Sequence, residues 1–338
     1  MARRSKPSLR FLLVTLALAL IPLLGGWWAL RGAGPLSEET RILVKRGATI
    51  DQVARDLERQ GVIRSAGIFK LWARARNLQL IRGEYTLSPR TSLAAVADKL
   101  RRGEITTSRV VIPPGLHAWA IQRRLEPFVP EETFWTLWKS PRLARAAGFP
   151  EAETLEGLVA PATYQLHKAL EPEEVILQLV EAFRAQVRPE LDGGALPPYD
   201  TLILASLVER ETGVAEERPR VAGVYAERLR IGMPLQCDPT SQYARWLTGD
   251  LRFTAPTSLD VRRPHRFNTY SIKGLPPTPI AIPSPQSIRA ALAPERTRDL
   301  YFVATGTGGH RFAPTLAAHN RNVALYRQEL ARQRRAER

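Results

Sequence analysis

Apolar positions change their spacing along the chain, and each change marks an element. No charged residue interrupts Phe11 to Leu30, and a helix of about 20 residues is long enough to cross a bilayer core of roughly 30 Å. From residue 41 the spacing becomes short and amphipathic. Arg41–Val44 alternates as a strand. Thr49 can cap a helix whose Ile50, Val53, Ala54 and Leu57 share one face, ended by Gly61. Ala66–Ala75 predicts a second helix through Ile68, Phe69, Leu71 and Trp72, and 83–87 a strand. Ser92 opens a helix with Leu93, Val96, Ala97 and Leu100 on one side, and 109–112 closes the pattern as a strand before Pro113-Pro114-Gly115. Residues 116–195 are mostly of helical period, with Trp119, Trp135 and Trp138 as core or groove aromatics. The Gly193-Gly194 and Pro197-Pro198 cluster marks a boundary. Asp200 can then cap a helix that runs to Gly213.

The fold class expected is therefore α+β. It has a basic cytoplasmic tail over 1–10, a transmembrane anchor over 11–30, a linker over 31–40 and a small α+β module over 41–115. A helical connecting region over 116–195 and a catalytic core over 196–338 follow. Arg3, Arg4, Lys6 and Arg10 precede the apolar run, with Trp27 and Trp28 at its far end. Basic residues on the leading flank predict an N-in, single-pass orientation with the remainder outside the cytoplasm. A cleaved signal peptide is the competing reading. Its apolar region is normally about 7–15 residues long and ends in a small-x-small site; this run is longer and ends around Gly25-Gly26-Trp27-Trp28. The module over 41–115 resembles LysM-like glycan-binding modules, and a plain spacer has the same pattern.

The net charge of +16 favours an anionic partner: nucleic acid, lipid head groups or an acidic wall polymer. Export from the cytoplasm argues against nucleic acid. Cys237 is the one cysteine and the five histidines are scattered, which excludes an internal disulfide and a thiolate metal cluster within one chain; no metal and no cofactor is expected.

The chemistry concentrates on the helix after Asp200. At 100° per residue Leu204, Leu207, Val208 and Glu211 share a face, and Glu209 falls about 160° away beside Ser206 and Arg210. A carboxyl on an apolar stripe is costly when charged, so its pKa rises. A carboxylic acid kept protonated near neutrality is what cleavage of a glycosidic bond needs. A Glu211 paired with an arginine at the helix end is the structural alternative.

Around it stand Ala205-Ser206-Leu207-Val208-Glu209-Arg210-Glu211-Thr212, Glu217-Arg218 and Val221-Ala222-Gly223-Val224-Tyr225. Then come Arg228 to Thr240 (RLRIGMPLQCDPT), Asn268-Thr269-Tyr270, Gly274-Leu275-Pro276-Pro277, Tyr301-Phe302-Val303-Ala304, Gly308-Gly309-His310 and His319-Asn320. These strings closely resemble the MltG (YceG-like) family of endolytic murein transglycosylases, over roughly residues 200–325. The resemblance implies a lysozyme-like active-site helix with Glu211 as catalytic acid/base. It also implies non-hydrolytic cleavage between N-acetylmuramic acid and N-acetylglucosamine of peptidoglycan strands, leaving 1,6-anhydro ends. Gln236, Asp238, Asn268 and Tyr270, in turns rich in Pro and Gly, are candidate sugar contacts or orienters of Glu211, with Thr212 and Glu217 beside them. Peptidoglycan synthases are candidate partners at the inner membrane. Alanine flanks Pro161 on both sides, where the family often has an aromatic and an acidic residue, and Cys237 replaces a small polar one; it is expected to be buried and inert. Gly306-Thr307-Gly308-Gly309 lies between strand-like runs, so it predicts a hairpin and not a phosphate loop. The final helix, about Leu316 to Arg335, reads as amphipathic through Leu316, Val323, Leu325 and Leu330, with a solvated basic end. A non-catalytic wall-binding scaffold and a true hydrolase remain alternatives.

Overall fold

The computed structural model describes residues 34–252 and 254–336. The expected anchor over 11–30 lies outside them, and among the described residues no helix is long and apolar enough to cross a membrane. The chain divides into two compact units. The first runs to Arg109 and adds Gln165–Glu171; the second comprises Val110–Tyr164 and the chain from Pro172 onward. The division thus falls before residue 115.

In the first unit, β1 (Thr40–Val44) pairs antiparallel with β2 (Gly83–Leu87), with Ile42 opposite Tyr85. Strand alternation turns Ile42, Val44, Tyr85 and Leu87 inward. Helix α1 (Ile50–Arg59) starts at Thr49, whose hydroxyl accepts from Gln52 N while the Gln52 side chain accepts from Thr49 N, a reciprocal cap. Helices α2 (Ala66–Ala75) and α3 (Leu93–Arg102) start at Ser65 and Ser92, whose hydroxyls accept a backbone N–H three residues on. Gly103, at φ +65°, stops α3. Val53, Leu57, Phe69, Val96 and Leu100 from the helices close over the two strands as one core. Leu71, read as part of that face, is 71% exposed. Leu57 is fully buried; Leu57→Ala is expected to lower the stability of this unit by about 2–5 kcal/mol, checked by denaturant unfolding of the full chain.

β3 (Ser108–Ile112), read as the closing strand of the first module, pairs instead with β4 (Ala162–Leu166), a strand the helical reading of 116–195 did not contain. In the second unit, α4 (Ala118–Leu125), α5 (Glu131–Trp138), α6 (Pro141–Ala146) and α7 (Pro172–Gln186) precede the central helix α8 (Pro198–Glu211). Every residue of α8 from Thr201 to Val208 is buried, so it is wrapped on all sides and its apolar pattern is not one-faced. Its first turn is set by Pro197 and Pro198, which fix φ, and Asp200 sits inside the helix and is not its cap. Around α8 lie α9 (Arg218–Arg230), α10 (Asp238–Leu247) and α12 (Pro285–Leu292), and the short α11 (Ser258–Arg262) packs on α10. The hairpin of β5 (Tyr301–Ala304) and β6 (His310–Ala313) turns through Gly306, Gly308 and Gly309, all at positive φ, as the sequence predicts. Helix α13 (Leu316–Ala336) follows. On its apolar side Leu316 stays 55% and Leu325 48% exposed. Gln333 reaches the hairpin, its Nε2 donating to Gly306 O at 2.7 Å.

Candidate active site

Glu211 is the last residue of α8 and opens into a cleft of ≈ 410 Å³ with Arg228, Gln236, Asp238, Tyr270, Tyr301, His310, His319 and Tyr326 on its walls. The carboxyl is only partly exposed. Burial raises it from its ordinary 4.5 to about 7; the Cys237 hydrogen bond opposes this, the Asp238 charge adds to it, and His310 opposes it. The Cys237 thiol donates to Glu211 Oε2 at 3.2 Å. Burial and the neighbouring Glu211 charge hold that thiol well above its ordinary pKa, so it stays protonated and able to donate. Cys237 is buried, as expected, but it is a partner of Glu211 and no bystander. Tyr225, 1% exposed on α9, is kept neutral by burial, and its hydroxyl has no hydrogen-bond partner of ordinary geometry among the described residues.

Glu209 does not face solvent. Its Oε2 accepts from Ser284 N at 2.9 Å, Ser284 Oγ at 2.5 Å and Ser287 Oγ at 2.7 Å, with Arg218 3.9 Å from Oε1. These are the cap and first turn of α12, where a carboxylate is favoured by the unpaired N–H groups and the helix dipole. The two glutamates thus divide the work: Glu209 locks α8 to α12, and Glu211 remains in the cleft.

The loop before α10 brings further expected residues to the cleft. Gln236 is held at φ +52°, in the left-handed region, a conformation that costs a residue other than glycine about 1–3 kcal/mol. It is fixed there by Gln236 N donating to Thr269 O at 3.1 Å and by Cys237 N donating to Thr269 Oγ1 at 2.9 Å. Asp238 begins α10, and its Oδ1 accepts from the Tyr270 hydroxyl at 2.6 Å. Burial, then the Asp238 charge, raises Tyr270 well above its ordinary pKa, so it remains a donor.

Three expected residues stand behind the wall. Asn268 is fully buried; its amide nitrogen donates to Val261 O at 2.9 Å and Arg263 O at 2.7 Å, and its Oδ1 accepts from Tyr270 N at 3.1 Å. Both ends of its amide are spent on backbone, so it shapes the turn that presents Tyr270. Thr212 is 2% exposed, its hydroxyl 3.4 Å from Glu217 Oε2. Glu217 in turn accepts from His310 N at 2.7 Å and lies 2.7 Å from His310 Nδ1. Burial favours the neutral Glu217 carboxyl, but these hydrogen bonds outweigh it and lower its pKa. Glu217 therefore orients His310.

Arg228, Tyr301, His310, His319 and Tyr326 were not read as cleft residues. Arg228, 5% exposed, donates to Leu300 O at 2.6 Å and Leu235 O at 2.7 Å, tying the hairpin to the loop before α10. An arginine inside the otherwise apolar register of α9 was the available signal. A second buried acid was also missed. Glu156, with no exposure, accepts from Ala118 N at 3.1 Å and Tyr243 OH at 2.9 Å; burial raises it to about 7. Neither it nor the alanines flanking Pro161 line the Glu211 cleft.

The YceG-like family profile matches residues 42–325. The endolytic murein transglycosylase of Bacillus subtilis (strain 168) is 27% identical over 319 residues, 84% of this chain and 84% of its own length. That of Streptococcus pneumoniae serotype 2 (strain D39) is 27% identical over 314 residues, 83% of this chain. The chain spans 57% of the length of the pneumococcal relative. A crystal structure of a yceG-like protein from Listeria monocytogenes is 28% identical, covers 84% of this chain and 98% of its own, and superposes with a TM-score of 0.56. Since the profile runs from within β1 into α13, over most of the chain and the whole of α8 with Glu211, the chain belongs to the YceG-like family.

Proposed function

We propose that this protein is an endolytic lytic transglycosylase that cuts the N-acetylmuramic acid–N-acetylglucosamine bond of peptidoglycan strands, with Glu211 as its one acid/base. The observation that carries this is the Glu211 carboxyl in a cleft, raised by burial to about 7; the names of the relatives support it. Protonated Glu211 donates to the glycosidic oxygen as the bond to C1 breaks, and the leaving sugar departs as an alcohol. The substrate's acetamido carbonyl stabilises C1, a recognised substitute for a second carboxylate. The Glu211 carboxylate, held by the Cys237 thiol, then takes the proton of the 6-hydroxyl as O6 closes on C1. This restores the acid and consumes no water.

In this reading the segment over 11–30 anchors the chain N-in at the inner membrane, with the catalytic unit outside and peptidoglycan synthases nearby. The first unit serves as a LysM-like glycan-binding module. Co-purification that recovers no synthase counts against that partnership.

The test is mass spectrometry of purified glycan strands digested by the full chain. Anhydro ends, lighter by one water than hydrolytic ends, are expected. Ordinary reducing ends would make the protein a hydrolase, and intact strands with folded protein would favour a binding scaffold. Cys237→Ala removes a donor that favours the charged carboxylate. The alkaline limb of the pH–rate profile should therefore move up by about 0.4–1 pH unit, and an unmoved limb would show that the thiol does not tune Glu211.

A further inference from the structure

Trp119, Trp135 and Trp138 take no part in the Glu211 cleft. They meet Tyr243 and Trp246 around a second cavity of ≈ 300 Å³ in the same unit, at the lower end of the size range of small-ligand sites. We propose that this cavity is a second glycan subsite, holding one N-acetylated sugar ring of the strand that Glu211 cuts; the identity of the strand rests on the proposed function.

Three helices build the walls: α4 supplies Trp119, α5 supplies Trp135 and Trp138, and α10 supplies Tyr243 and Trp246. The rings are tilted against one another. Trp119 meets Trp135 at 5.5 Å and 58°, Tyr243 at 5.7 Å and 74°, and Trp246 at 6.0 Å and 66°. Such tilts leave ring faces along the cavity, whereas Trp138 stacks on Phe134 at 4.8 Å and 22°. The walls are also held in place. Tyr243 donates to the buried Glu156 at 2.9 Å, and Trp246 Nε1 donates to Arg252 O at 3.1 Å.

The chemistry selects the occupant. A pyranose offers flat C–H faces to aromatic rings such as those of Trp119, Trp135, Tyr243 and Trp246. Lys139, the one charged side chain on the lining among the described residues, complements the carboxylate that a muramyl sugar carries. An acyl chain would find few aliphatic walls here, and a docking helix needs a groove with anchors at several turns, not a single cavity.

The test uses the full chain carrying Glu211→Gln, so that strands bind without being cut, and titrates it calorimetrically with purified peptidoglycan glycan strands. Trp119 and Trp135 are only partly buried, so their replacement spares the core. Trp119→Ala with Trp135→Ala is expected to weaken binding about tenfold at an unchanged melting temperature, and Phe at both positions to restore most of it. Equal affinity of the alanine variant and its parent would overturn the subsite and leave the cleavage reading standing. So would a variant that loses only the capture of phosphatidylglycerol vesicles. A parent that binds no strands, together with a Glu211-intact chain that cuts none, would overturn the proposed function and the subsite with it.

Discussion

Glu211→Gln is expected to slow strand cleavage by about 10²–10⁴-fold and, at the same time, to stabilise the fold above neutral pH. The two effects share one cause. The native protein holds this carboxyl in a site that raises it from 4.5 to about 7. Below pH 4 the group is protonated both folded and unfolded and contributes no pH dependence. As pH rises from about 4.5 to 7 the unfolded chain releases the proton and the folded chain keeps it, so stability falls across that window and levels off above it. Glutamine has nothing to ionise and escapes a cost of up to about 3 kcal/mol. Thermal melts at pH 4 and pH 8 check this: the variant should match its parent at pH 4 and exceed it at pH 8. In the parent, cleavage should fall as pH rises through about 7, where the acid form is lost. A variant that cleaves like its parent would remove Glu211 from the chemistry. One that is inactive and less stable at both pH values would show damage to the fold.

What could be read in the sequence was local. The caps at Thr49, Ser65 and Ser92 and the Gly-rich hairpin are governed by a few neighbouring residues, and the structure has them; Thr49, Ser92 and the hairpin were recognised in advance. Placing Glu211 on an inward face also needed only its own helix. Glu209 was misplaced because a helical wheel treats one side as solvent, whereas α12 packs against that side and offers Glu209 the N–H of its cap Ser284 and the hydroxyls of Ser284 and Ser287. Asp200 looked like a cap, but Pro197-Pro198 had already set the backbone. His310 and Tyr326 reach the cleft through a long-range arrangement of hairpin and last helix that no local period encodes, whereas Arg228 stands in the apolar register of its own helix. Asn268 and Tyr270, read as equals, have opposite roles because the amide of Asn268 is consumed by its own turn.

That turn depends on a buried ion pair, and Asp260→Ala is expected to destabilise the second unit by about 3–5 kcal/mol. Arg245 is 1% exposed; its Nη1 donates to Asp260 Oδ2 at 2.8 Å and its Nη2 to Arg252 O at 2.6 Å. Asp260 Oδ2 also accepts from Thr257 N and Thr257 Oγ1, each at 2.8 Å. Alanine removes the only carboxylate facing this guanidinium among the described residues and leaves a buried charge without a counter-ion. Replacing both partners, as Arg245→Met with Asp260→Leu, should cost much less, because no charge is then left in the interior. Chemical denaturation of the two variants against the parent measures the difference, and equal losses would show that packing and not charge governs the site. Burial works to raise the Asp260 carboxyl, but the Thr257 hydrogen bonds and Arg245 outweigh it and hold it below 3.8. Its contribution is therefore complete above that value and is lost as pH falls through the lowered one. The damage should reach the cleft as well. Asn268 Nδ2 donates to the carbonyls of Asp260, Val261 and Arg263, and the same asparagine holds the backbone of Tyr270, whose hydroxyl meets Asp238 beside Glu211. A chain whose α11 has loosened should lose strand cleavage at temperatures where its other helices are still folded.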